Sequence, residues 1–191
     1  MNLCEGTPMS QRSADLRSGR YSEVGQIYLL TSVVNGRQPL FSNWRTGRYV
    51  VDEFRRAQQA GIAESLAWVV MPDHFHWLVT LKKGTLGMLV RRVKSGSALT
   101  IMQAGCTPHR VWQKGYHDRA IRREDDLLAV ARYIVANPLR AGLVKRVGDY
   151  PLWDAVWLRD FSRASALLQG TAFCRSLPAK GINACPRSIA N

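Results

Sequence analysis

The sequence predicts a single α+β domain in which an antiparallel sheet carries helices on one face, with an extra helix at the C-terminal end. Two observations predict it. Runs of β-forming residues and stretches of helical apolar periodicity alternate as strand, helix, strand, strand, helix, strand and then one more helix. That is the order of the ferredoxin-like split βαβ arrangement. The length of 191 residues, 46% of them apolar, suits one hydrophobic core and is too short for two.

Gln26 to Val34 (QIYLLTSVV) is rich in β-formers and makes the opening strand. Arg37 to Phe41 is a turn, and a helix follows from Trp44 to Ala60, with Val50, Phe54 and Ala57 on one face and Gly61 as its C-cap. Leu66 to Met71 and Phe75 to Leu81 are strands joined through Pro72 and Asp73. Thr85 caps a second helix, Leu86 to Ala104, which turns Leu86, Val90, Val93 and Ile101 inward and is weakened by Gly96 in its interior. Val111 to Ile121 reads as the fourth strand. Glu124, Asp125 and Asp126 open a third helix, as acids do at the positive end of a helix dipole. It is expected to stop near Asn137, because Pro138 disfavours helical geometry in the residue before it. The domain spans residues 21–160, between a basic arm (1–20), expected to be flexible, and a basic Ala/Ser-rich tail (161–191), expected to be loosely ordered.

Charge narrows the partners. Lys and Arg number 27 against 14 Asp and Glu, a formal net charge of +13, which favours a polyanion such as nucleic acid or an anionic membrane face. No run approaches the ~20 apolar residues of a spanning helix, and residues 1–13 carry no signal-peptide core. The expectation is a cytoplasmic protein without a membrane partner. Cys4, Cys106, Cys174 and Cys185 have neither metal-site nor disulfide spacing, so reduced thiols are expected.

Three groups of residues carry chemistry. His74 and His76 stand two apart at the start of a strand, so both imidazoles leave one face while Phe75 and Trp77 enter a core. The pair is half of a metal site or, more plainly, two strand histidines in ordinary polar contacts. Tyr133 and Asn137 are one turn apart at the edge of the third helix's apolar face. They are either a functional pair or a boundary packing residue and a helix stop. Between Asp73 and Asp118 there is no carboxylate, while Lys82, Lys83, Arg91, Arg92, Lys94, Arg110 and Lys114 supply positive charge. These form a phosphate track or a solvated basic surface. Arg12, Arg17 and Arg20 add charge from the arm. Trp77, Trp112 and Tyr116 are stacking surfaces or core.

Three segments, MPDHFHWLV at 71–79, WQKGYHDRAI at 112–121 and YIVANPLRAGLV at 133–144, resemble the ordered signatures of the REP-associated tyrosine transposases, relatives of the single-tyrosine HUH transposases. The resemblance covers residues 17–150. It departs from the usual pattern at Asp73, where Asn is more common, and at Val135 and Ala136, which replace a more polar pair.

The resemblance implies that His74 and His76 are metal ligands, that Tyr133 is the nucleophile on a catalytic helix, and that Asn137 completes the metal site. It implies action on single-stranded DNA whose palindromes fold as hairpins. An ordinary phenol titrates near 10 and is a weak nucleophile at neutral pH. A Mg²⁺ or Mn²⁺ ion that polarises the scissile phosphate is therefore expected, with a 5′-phosphotyrosine link as the intermediate. Two imidazoles and an amide oxygen suit those ions better than a closed zinc site. His117 and Asp118 on the neighbouring strand are accessory candidates or a structural pair. Two other readings remain. One is a palindrome-binding protein that does not cut, and the other is a metal-dependent hydrolase that uses water. The protein is expected to be a monomer or a homodimer.

Overall fold

The computed structural model describes residues 22–107, 110–122 and 124–156, so the arm with Arg12, Arg17 and Arg20, and the tail, lie outside the described residues. Eight main elements follow in order: β1 (Ile27–Val33), α1 (Trp44–Gln59), β2 (Ala63–Met71), β3 (His74–Leu81), α2 (Leu86–Gln103), β4 (His117–Ile121), α3 (Glu124–Arg140) and β5 (Trp153–Ala155). The strands form one sheet in the order β4-β1-β3-β2-β5, and each neighbouring pair is antiparallel. The first four strands thus have the split βαβ order expected from the sequence.

Strand alternation divides the core into two layers. Tyr28, Leu30, Trp68, Val70, Phe75, Trp77, Val79 and Leu81 face α1 and α2. Leu29, Val69, Met71 and Leu78 leave the other side and pack on Val130, Ala131, Ile134 and Val135 of α3. The extra helix therefore lies alone against the face opposite the other two.

Helix ends follow local chemistry. Asn43 and Thr85 accept the backbone N–H of Arg45 and Met88 at the starts of α1 and α2. Past the ends of all three helices, Gly61, Gly105 and Gly142 adopt positive φ. Each donates to the carbonyl three residues back, and the next residue donates five back, as with Gly142 to Leu139 and Leu143 to Pro138. These paired bonds satisfy carbonyls that the helix leaves open.

Three boundaries differ from expectation, and one strand is added. β2 starts at Ala63 rather than Leu66, because a register shift between Ser65 and Ala67 lets its polar start still pair with β3. The segment read as one strand from Val111 is broken. Trp112 makes only an isolated bridge to Val34, Gly115 turns at φ 77°, and β4 begins at His117. α3 runs past Asn137 to Arg140 with Pro138 inside it. Pro138 withholds one backbone N–H, yet the chain regains its pattern at once, with Ala141 donating to Asn137. The three-residue β5, on the edge beside β2, is too short to show a period.

Gly96, a weak point by helix propensity, is a packing requirement. A Cβ there would meet the Glu53 carboxyl carbon at 2.5 Å, and that carboxylate is buried between α1 and α2 with Arg56 as its ion-pair partner.

Candidate active site

β3 delivers His74 and His76 to the face covered by α3. Both are buried, at 7% and 5% exposure, with ring centroids 4.8 Å apart. Phe75 and Trp77 fill the opposite layer, which fixes the direction of the histidines. Tyr133 comes from α3, and its ring centroid lies 6.0 Å from that of His76. The phenol is half-buried, and on its ring sits the Arg140 guanidinium, with Cζ 5.2 Å from the centroid. Arg140 lies two turns along α3 from Tyr133, and the helix reaches it only because it continues through Pro138.

Each imidazole is held at one nitrogen. Nδ1 of His74 lies 2.5 Å from Oδ1 of Asp73, whose other oxygen accepts from Arg37 at 3.0 Å. Burial pushes the Asp73 carboxyl up, but the hydrogen bonds and charges of His74 and Arg37 outweigh it and leave the group below its usual range. An ionised carboxylate only accepts, so Nδ1 of His74 donates and Nε2 is its remaining nitrogen. Nδ1 of His76 lies 2.8 Å from the Thr31 hydroxyl, its cross-strand partner on β1. Burial first, and the charge of His74 second, push His76 down to about 3, with Asp73 opposing. His76 is therefore neutral near pH 7.

Asn137 is one turn beyond Tyr133. It is buried, and its amide N–H donates to the Tyr133 carbonyl at 3.1 Å, which leaves Oδ1 as its acceptor. Among the described residues no three His, Cys, Asp or Glu side chains converge on one point. A cation at the histidines would take Nε2 of each, with an amide oxygen or an incoming phosphate completing the set.

The other sequence candidates disperse. His117 pairs with Thr31, which in turn pairs with His76, so all three share a row and a face, about 10 Å apart from end to end. Asp118 pairs with Leu30 and so belongs to the opposite face, away from the histidines. Lys82 and Lys83 follow the far end of β3, about 20 Å along the strand from His76, and Lys82 pairs with Glu64 at 2.6 Å. Arg91 and Arg92 are exposed on α2, across the sheet from the site. Lys94 donates to the carbonyls of Gln113 and Gly115 at 2.7 and 2.6 Å, while burial and the Arg110 charge push it down to about 8. It clamps the loop before β4. Lys114 is exposed on that loop, toward the histidine end.

Sequence reasoning did not single out Arg37, Thr31 and Arg140. The seven-residue spacing from Tyr133 was a legible signal for Arg140. Thr31 needed the strand register, and Arg37 needed the path of the turn.

A family model of IS200-like transposases matches residues 24–137, more than half of the chain. A REP-associated tyrosine transposase of Escherichia coli is 28% identical over 144 residues, covering 75% of this chain and 82% of its own. A Haemophilus influenzae protein provisionally given the same name is 26% identical over 145 residues, covering 66% and 78% respectively. A solved REP-associated tyrosine transposase bound to a REP hairpin superposes with a TM-score of 0.65 at 25% identity, over 95% of this chain and all of that one.

Proposed function

The chain belongs to the IS200-like transposase family, with its likeness running to the REP-associated tyrosine members, and on that premise we propose that it cuts and rejoins single-stranded DNA beside a palindromic hairpin. The observation that carries the reading is the 6.0 Å approach of the Tyr133 ring to His76. It brings the phenol's ring and the pair of imidazoles to one place on the sheet, close enough for a single phosphate to be shared. The hairpin bound by the solved relative and the net charge of +13 support DNA as the substrate. Among the described residues no helix is long and apolar enough to cross a membrane.

In the proposed step the Tyr133 oxygen attacks phosphorus in line with the leaving 3′ oxygen. The phenolic proton passes to solvent, the P–O3′ bond breaks, and the 3′ oxygen takes a proton from solvent and departs as a hydroxyl. A 5′-phosphotyrosine link remains. It is still a phosphodiester, so a 3′-hydroxyl can reverse the step and join strands without ATP.

Nε2 of His74, Nε2 of His76 and Oδ1 of Asn137 would hold a Mg²⁺ or Mn²⁺ ion. When bound, that ion supplies charge to polarise the phosphate and to balance the leaving oxygen. Asp73 and Thr31 fix the two rings so that the same nitrogen of each stays available. Arg140 places positive charge over the face of the ring whose oxygen turns anionic.

The test is incubation with a hairpin-bearing single strand and Mn²⁺. A covalent protein–DNA adduct that Tyr133→Phe abolishes, with DNA binding retained, supports the reading. Cleavage that survives Tyr133→Phe and leaves a free 5′-phosphate overturns it.

A further inference from the structure

The segment formed by the β1–α1 connection and the first turns of α1 contains no carboxylate before Asp52, while Arg37, Arg45 and Arg48 are all exposed. It is bonded directly to the residues that precede His74. Val34 N–H donates to the Asp73 carbonyl at 2.8 Å, Phe41 N–H to the Pro72 carbonyl at 2.9 Å, and the Arg37 side chain to the Asp73 carboxylate. Three residues after Phe41 comes Trp44, 48% exposed and the one aromatic among the large exposed apolar side chains of the described residues. The Arg45 guanidinium lies 5.4 Å from the centre of its ring. Lys82 and Lys94, by contrast, are taken up by protein partners.

We propose that this connection is a second DNA-binding surface, a platform for the unpaired strand that flanks the hairpin, on which Trp44 stacks a nucleobase and Arg45 and Arg48 take the adjoining phosphates. An indole exposed beside a guanidinium offers a flat surface on which a nucleobase of any sequence can stack. A guanidinium already on the ring adds charge for the backbone and a second planar surface. Anchored to Pro72 and Asp73, the platform sits at the histidine end of the sheet, on the α1 side of it. The far end of β3, with its paired Lys82, offers no such combination.

The proposal rests on the strand-cutting reading, so the experiment separates the two. Binding is measured in a Tyr133→Phe background by fluorescence anisotropy. One probe is a hairpin with an unpaired flank, and the other is the same hairpin with blunt ends. Trp44→Ala should bind the flanked probe about tenfold more weakly and the blunt probe as before, while Trp44→Phe should restore most of the loss. Equal affinity for the flanked probe in Trp44→Ala, or an equal loss on both probes, overturns the platform. Failure of the parent chain to form any adduct overturns the strand-cutting reading instead, and leaves this comparison standing as a binding result.

Discussion

Thr31 on β1 holds the Nδ1 edge of His76 on β3 at 2.8 Å, across a pair of directly opposed strand positions. Asp73 holds the same atom of His74. The two imidazoles are therefore oriented by different chemistry, one by a hydroxyl and the other by a carboxylate. Outer partners of this kind contribute about 10- to 100-fold in metal affinity. Thr31→Val and Asp73→Ala should each weaken Mn²⁺ binding at least tenfold in an electron paramagnetic resonance titration, with the fold intact by circular dichroism. Wild-type affinity in both variants would show that the rings need no such support.

The pH dependence of stability follows from His76. It is held near 3 in the fold, whereas a histidine in the unfolded chain takes its proton near 6.5. Between those values the unfolded state binds the extra proton. Stability is therefore present above about 6.5 and is lost progressively as pH falls toward 3. Urea unfolding of the metal-free protein at pH 7, 5.5 and 4.5 should show a steeper decline than in His76→Gln. Parallel declines would contradict the account.

Ser97 is a buried relay. Its hydroxyl donates to the Val93 carbonyl at 2.7 Å and accepts from the Trp112 indole N–H at 3.1 Å. Ser97→Ala strands that N–H inside the core, at a cost of about 1–3 kcal/mol. The denaturant midpoint should fall accordingly. An unchanged midpoint would mean that the indole finds another acceptor.

Much of this was legible from particular residues. The alternation of His74 and His76 with Phe75 and Trp77 gave the face of both histidines. The periodicity of Leu86, Val90, Val93 and Ile101 gave the buried side of α2. What local pattern could not give was contact across elements. Thr31 joins the site only through strand register, and Asp118 leaves it for the same reason. Lys82 and Lys83 follow the histidines closely in sequence, but an extended strand carries them to the opposite end of the sheet. Pro138 read as a stop because the preference of the residue before proline is local, while the packing of Ile134 and Val135 that holds α3 on the sheet is not.

Arg140 sits on the Tyr133 ring, so its removal should act on the chemical step more than on binding. Arg140→Gln should slow single-turnover adduct formation about tenfold or more and change hairpin affinity little, with Arg140→Lys intermediate. Equal losses in rate and in affinity would make it an ordinary phosphate contact.

The most direct test of the central claim is tandem mass spectrometry of the adduct formed with a hairpin-bearing single strand and Mn²⁺, after digestion of both protein and DNA. The account predicts a nucleotide 5′-phosphate on the peptide containing Tyr133, and no such mass in Tyr133→Phe. The same modification on any other residue, or strand cleavage with every peptide unmodified, would contradict it.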